Sequence, residues 1–245
     1  MLFFDDALEN CANKNPKMSR AVILLSGGLD SATVAAIAKN EGYELFALTI
    51  DYGQRHQIEI ESAKKIADHI GMVKHVIMPI DLRLFGGSSL TSGMEVPKDV
   101  PLKQIGQTIP NTYVPARNTI FLALALAYAE SIGAHKIYIG ISGVDYSGYP
   151  DCRPEFLQVF NSLANLATKS GMESTPFSIE APLLLFSKRD TILRGLALGV
   201  NFSLTFTCYD PLPGGKSCGR CESCQLRISA FRSAGVTDPA EYADY

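Results

Sequence analysis

The chain has 245 residues, 47% of them apolar and 19% charged, with a formal net charge of -3. That length suits one large domain with a small appendage, and that balance excludes a disordered chain. Lys and Arg form no run, which argues against a protein that grips nucleic acid through its phosphates, and the longest wholly apolar stretch, Ile120–Ala129, is too short to span a bilayer.

Residues 1–19 open with two early acids and carry neither a basic segment nor an apolar one. They read as an N-terminal extension and not as a secretory signal, so the cytoplasm is the expected compartment. Ala21–Leu25 is a continuous apolar run of buried-strand length, followed by a helix from near Asp30 to the stop at Gly42. Glu44–Ile50 is the second strand. Gln57–Ile70 is an amphipathic helix, with Ile58, Ala63, Ile66, Ala67 and Ile70 on one stripe.

Val73–Ile80 is the third strand, and the Gly-, Ser- and Pro-rich stretch Asp81–Pro110 reads as a functional loop or lid. Asn118–Ile132 is apolar nearly all round and is expected to be buried on most sides. Lys136–Ile141 is the fourth strand. Pro154–Lys169 is a helix with Pro at its first position, where the missing N–H costs nothing. Ser178–Ala181 is a short strand, and Ser187–Leu198 is a helix with Ser187 and Asp190 spaced as a capping box. Strands alternating with helices predict an α/β fold: an open parallel sheet with helices on both faces. The expected organisation is an α/β domain over 20–200 and a cysteine-bearing segment, 201–245, packed on it.

Ser26-Gly27-Gly28-Leu29-Asp30-Ser31 lies between the first strand and its helix. Two glycines allow close approach of a ligand to the backbone, and the N–H groups at the helix start form an anion site reinforced by the dipole. An aspartate amid such groups calls for a cation, and Mg²⁺ suits it. On local chemistry alone, a plain strand-to-helix turn with Asp30 or Ser31 as its cap accounts for the segment equally well. No GxGxxG is present, and Gly215-Lys216-Ser217 lacks the strand and first glycine of a Walker A loop.

In its strand–loop–helix setting, SGGLDS resembles the signature of the PP-loop ATP pyrophosphatases, whose fold is that of the adenine-nucleotide hydrolases. The resemblance implies ATP contacts from Leu25, Ser26, Gly27, Gly28, Leu29, Asp30, Ser31, Ala32, Thr33, Val34 and Ala35, with Asp30 and Ser31 in the chemistry. Three more segments extend it: Asp51–His56 (DYGQRH), Asn111–Asn118 (NTYVPARN) and Asp145–Pro154 (DYSGYPDCRP). With the cysteine cluster below, these resemble the 7-cyano-7-deazaguanine synthase family of the queuosine pathway, from about Ala21 to the C-terminus.

Each segment follows a predicted strand or opens a helix, where open parallel sheets bind ligands. Arg117, Asn118, Asp145, Tyr149, Asp151 and Arg153 supply aromatic and hydrogen-bonding groups for a purine-like ring bearing a carboxylate. Lys188 stands in the first turn of its helix, where the dipole prefers an anion, and the resemblance makes it a phosphate contact. Otherwise it is a solvated surface lysine.

Cys208, Cys218, Cys221 and Cys224 are spaced C-x₉-C-x₂-C-x₂-C. Four thiolates suit tetrahedral Zn²⁺ and also accept an iron–sulfur cluster; the resemblance favours a structural zinc. It further implies a ligase that joins 7-carboxy-7-deazaguanine and ammonia with ATP through an adenylated carboxylate and an amide, acting as a homodimer without nucleic acid or membrane. The alternatives are a tRNA-thiolating enzyme on the same scaffold and a non-catalytic nucleotide-binding module. The first needs a sulfur-carrying cysteine beside the ATP and a basic RNA face.

Overall fold

A computed structural model describes residues 19–143 and 148–243. Five strands, β1 (Arg20–Leu24), β2 (Glu44–Asp51), β3 (Lys74–Pro79), β4 (Lys136–Tyr138) and β5 (Ser178–Glu180), form one sheet in the order β3-β2-β1-β4-β5. Every pairing is parallel, with Val22 opposite Phe46 on one side and Ile137 on the other. The chain winds outward from β1 to β3, then returns to β1's other flank for β4. The crevice beyond the carboxyl ends of β1 and β4 is therefore the switch point at which such sheets bind ligands.

Among the described residues the longer helices are α1 (Leu29–Asn40), α2 (Ile58–Ile70), α3 (Arg117–Ile132) and α4 (Pro154–Leu166), which flank the sheet, and α5 (Lys188–Ala197) and α6 (Glu222–Ala234), which pack outside α1. Successive residues of a strand point to opposite faces. Ala21, Ile23 and Leu25 accordingly pack with Ala35, Ala63 and Ile66 of α1 and α2. Val22 and Leu24 pack on the other side with Leu122 and Ala125 of α3 and Leu157 and Phe160 of α4. Leu29, Ile192, Phe202, Ala230 and Phe231 lock α5 and α6 onto the start of α1. No described helix is long and apolar enough to cross a membrane.

Some boundaries differ from expectation. α3 is not buried on most sides: Asn118, Leu122, Ala125, Leu126 and Ala129 are buried, whereas Ile120, Phe121, Leu124 and Tyr128 are half-buried. A helix in an outer layer presents one stripe to the sheet, whatever its composition. β4 stops at Tyr138 and not at Ile141, because β1 leaves the sheet after Leu24 and its last partner in β4 is Tyr138. α4 ends at Leu166, and Lys169–Met172 forms a separate turn capped by the Thr168 hydroxyl. The capping box at Ser187 and Asp190 is present in full.

The stretch 81–116 is irregular but packed, with Ser88, Ser89, Leu90, Thr91 and Val96 buried. Its middle is zipped to the C-terminal segment. Lys98 forms an antiparallel bridge with Cys221, the Asp99 N–H donates to the Arg220 carbonyl at 2.9 Å, and Lys98 Nζ pairs with Asp210 at 2.9 Å.

Arg227 organises the C-terminal segment from within. Its buried guanidinium donates to Asp238, to the Thr205 and Thr207 hydroxyls and to the Phe202 carbonyl. Burial would raise the Asp238 pKa, but the bonds from Arg227 and Tyr242 outweigh it and hold the carboxyl below its ordinary range. Arg227→Leu strands that carboxylate and is expected to lower stability by roughly 3–5 kcal/mol near neutral pH, read by urea unfolding. A lowered carboxyl pKa gives stability that is lost as pH falls through it, so the gap between wild type and variant should close in acid.

Candidate active site at the carboxyl ends of the strands

The loop between β1 and α1 is built by backbone contacts. Gly27 has φ +88°, and a Cβ there would lie 2.1 Å from the Glu59 carbonyl oxygen of α2. On the other flank, a Cβ on Gly140 would lie 2.9 Å from the Ser31 nitrogen. The Gly27 carbonyl accepts from the Phe206 N–H at 2.9 Å. Within the loop, Ser26 Oγ donates to Ser31 Oγ at 3.1 Å, and Ser31 Oγ lies 3.1 Å from the Gly28 carbonyl. Gly28 caps α1 without a side chain, so the helix start presents N–H groups and the positive end of its dipole.

The loop forms one wall of a cavity of about 210 Å³. Leu25, Ser26, Gly28, Leu29, Asp30 and Ser31 line that wall, and Arg117, Asn118, Phe121 and Tyr149 line the opposite one. Tyr52, Glu59, Cys152, Phe206 and Tyr209 also line the cavity. An adjoining pocket of about 90 Å³ shares Leu29, Asp30, Tyr149 and Tyr209 and adds Lys188. A larger hollow, about 380 Å³, opens at the far end of α1 beside Lys39 and His69; of the site residues expected from the sequence it touches only Ala32.

The charges in the cleft are matched. Lys188 Nζ lies 2.6 Å from Asp30 Oδ2, joining the first turns of α1 and α5. The Arg117 guanidinium stands 5.9 Å from the Tyr52 ring centre and 6.0 Å from that of Phe121, at cation–π range. Arg117 follows Ala116, a non-glycine residue at φ +54°. Burial pushes the Glu59 carboxyl up to about 7, with Arg117 opposing, and pushes the Tyr52 hydroxyl up to about 12.

The residues read from the sequence do not all meet in the cleft. Asp30, Ser31, Lys188, Arg117, Asn118 and Tyr149 meet in the cleft. Ala32, Thr33, Val34 and Ala35 are buried in the body of α1, away from the cavity wall. Arg153 is exposed and donates to the Pro150 carbonyl at 3.2 Å, outside the wall. Asp151 is buried behind the wall, where its carboxylate accepts the Asn118 N–H at 2.8 Å and caps α3. It thus holds the helix that carries Arg117. Asp145 lies outside the described residues.

Glu59 was not legible as a site residue, and Tyr52 was legible only as part of the Asp51–His56 segment, with no role of its own. The available sign was a carboxylate at position 59, one helical turn before Ala63 on the buried stripe of α2. An acid in a first helical turn ordinarily needs no such explanation, because the dipole favours it.

Cys208, Cys218, Cys221 and Cys224 are all buried, with their Sγ atoms within 4.8 Å of one another. Sulfurs at about 2.3 Å from a tetrahedral ion stand about 3.8 Å apart, so the cluster fits a closed metal site. Backbone N–H groups of Cys218 and Cys221 point at the sulfurs of Cys208 and Cys218, at 3.2 and 3.3 Å. Such donors stabilise thiolates. Cys221 itself is pushed far down by hydrogen bonds from Cys208 and Cys224, which are pushed up in turn.

A model of the family described as queuosine biosynthesis protein QueC matches residues 20–235. The 7-cyano-7-deazaguanine synthase of Paramagnetospirillum magneticum is 56% identical over 226 residues, covering 92% of this chain and 100% of the relative. That of Syntrophus aciditrophicus is 56% identical over 227 residues, with 92% and 98% covered. That of Myxococcus xanthus is 53% identical over 227 residues, with 93% and 99% covered.

Gly27→Ala tests the wedge that shapes the loop. A side chain at positive φ costs about 1–2 kcal/mol by itself. The clash with Glu59 adds to that cost, so a destabilisation above 2 kcal/mol is expected in chemical denaturation. Gly86→Ala, also at positive φ but in open space, should lose only the conformational part.

Proposed function

We propose, from the premise that this chain belongs to the queuosine biosynthesis protein QueC family, that it converts 7-carboxy-7-deazaguanine and ammonia to 7-cyano-7-deazaguanine with ATP. The observation that carries this reading is convergence. Ser26–Ser31, Arg117, Asn118 and Tyr149 come from motifs far apart in the chain and line one cavity.

The chemistry follows from what a carboxylate lacks: its oxygen leaves only once it is attached to phosphorus. The substrate carboxylate attacks the α-phosphorus of ATP, and pyrophosphate departs. Ammonia then displaces AMP to give the amide. The amide oxygen then attacks the α-phosphorus of a second ATP with loss of pyrophosphate and one N–H proton, and the nitrile forms as the last N–H proton is lost and AMP departs with the C–O electron pair. The chain positions and stabilises charge throughout.

The N–H groups and hydroxyls of Ser26–Ser31 receive the phosphates, and Lys188 adds a positive charge beside them. Arg117 and Asn118 face the polar edge of the deazaguanine, and Tyr52, Phe121 and Tyr149 offer rings to its flat faces. The oxygen donors of Asp30, Ser26 and Ser31 suit Mg²⁺, which supplies charge neutralisation on the departing pyrophosphate when bound. Cys208, Cys218, Cys221 and Cys224 would hold a structural Zn²⁺, closed to substrate. The exposed Val159, Leu163 and Leu166 of α4 give apolar surface for a homodimer, which we place in the cytoplasm.

Incubation with ATP, ammonium and the deazaguanine acid should yield the nitrile by mass, with AMP and pyrophosphate. Asp30→Ala and Ser31→Ala should reduce AMP release at least about 100-fold, by analogy with the loss of one transition-state donor. Thiolated tRNA as the product would favour the thiolating enzyme instead.

Elemental analysis should find one zinc per chain. Chelation, or Cys→Ser at any of the four cysteines, should lower the melting temperature, because metal binding contributes folding free energy. Unchanged melting after chelation would refute the structural role.

A further inference from the structure

We propose that the Glu59 carboxylate is a catalytic base, which takes the proton released when nitrogen attacks the activated carboxyl carbon. This rests on the reading above and assigns a step within it. When ammonia adds to the acyl adenylate, the C–N bond forms and the nitrogen becomes positively charged. It must lose a proton before the bond to the AMP oxygen breaks, or ammonia falls back out. The electron pair of that C–O bond leaves with the phosphate, and the proton passes to a group within reach of the nitrogen.

Position favours Glu59 for that role. Its backbone carbonyl abuts Gly27 of the phosphate loop, while its side chain lines the cavity on the way to Arg117. It therefore borders both the loop that would hold the adenylate and the one cavity that Arg117, Asn118 and Tyr149 also line. The groups that face it are Arg117 from α3 and Tyr52 from the end of β2. The Arg117 charge favours the ionised carboxylate and opposes the effect of burial.

Three other titratable groups in the lining, Asp30, Tyr52 and Tyr149, are poorly suited. Asp30 is in ion pair with Lys188. Burial pushes the Tyr52 hydroxyl up to about 12 and raises that of Tyr149, so both stay protonated. A base works best when its pKa lies near the working pH, and burial brings Glu59 to about 7. It is ionised above that value and takes up a proton readily.

The test separates the two half-reactions in Glu59→Gln, which keeps the shape of the side chain. Adenylation consumes an ionised carboxylate and needs no base. Pyrophosphate–ATP exchange driven by the deazaguanine acid should therefore stay within about twofold of wild type. Amide formation, followed in single turnovers at fixed free ammonia, should fall by roughly 10²–10⁴-fold. In wild type that rate should rise with pH to a plateau through an apparent pKa of about 7, and Glu59→Gln should lose the rise. Glu59→Asp should recover part of the rate.

A raised carboxyl pKa gives stability that is lost as pH rises through it, so Glu59→Gln should melt no lower than wild type above pH 7. Equal loss of exchange and amide formation would make Glu59 a binding contact and overturn the assignment, as would an unchanged pH profile. Absence of exchange in wild type would remove the ligase reading itself, and this step with it.

Discussion

The backbone of the β1–α1 loop runs so close to α2 that a single methyl group at Gly27 would lie 2.1 Å from the Glu59 carbonyl. Everything around the cleft depends on that proximity. It fixes where α1 begins and hence where its unpaired N–H groups point. It sets Glu59 beside the loop, and it places the Gly27 carbonyl to receive the Phe206 N–H, which brings the C-terminal segment onto the same wall. The matching approach of Gly140 to Ser31 closes the other flank. Within the loop the Ser26 and Ser31 hydroxyls brace one another and the Gly28 backbone, so its shape is set before any ligand arrives.

Electrostatics follow from this crowding. In a narrow cleft of low effective dielectric, unpaired charges are costly, and the chain brings them together in pairs or against rings. Asp30 meets Lys188, and Arg117 lies over Tyr52 and Phe121 within reach of Glu59. The aromatic walls thus shape the pocket for a flat ring and temper the one guanidinium in it.

Features that rest on local chemistry were legible in the sequence. The apolar run before Ser26, the capping box at Ser187 and Asp190, and the cysteine spacing each carry their cause within a few residues. What was not legible depends on partners far along the chain. Asp151 reads as a substrate contact until α3 arrives to be capped by it, and Arg153 reads likewise until its side chain is seen turned to Pro150. The composition of Asn118–Ile132 suggests complete burial, yet the number of layers above a sheet decides how much of a helix is covered. Glu59 was hidden because two explanations, dipole and site, predict the same residue at the same place.

The long irregular stretch is joined to the cysteine-bearing segment by main chain and by charge. Lys98 bridges to Cys221 and the Asp99 N–H to the Arg220 carbonyl, while the side chains pair Lys98 with Asp210 and Asp99 with Arg220. Peptide groups are the same in nineteen of the twenty residue types, and only proline withholds its donor. The main-chain part of the seam places almost no demand on the side chains that flank it, whereas its two ion pairs do. The peptide bonds set the register, and Lys98–Asp210 and Asp99–Arg220 add a preference that salt would screen.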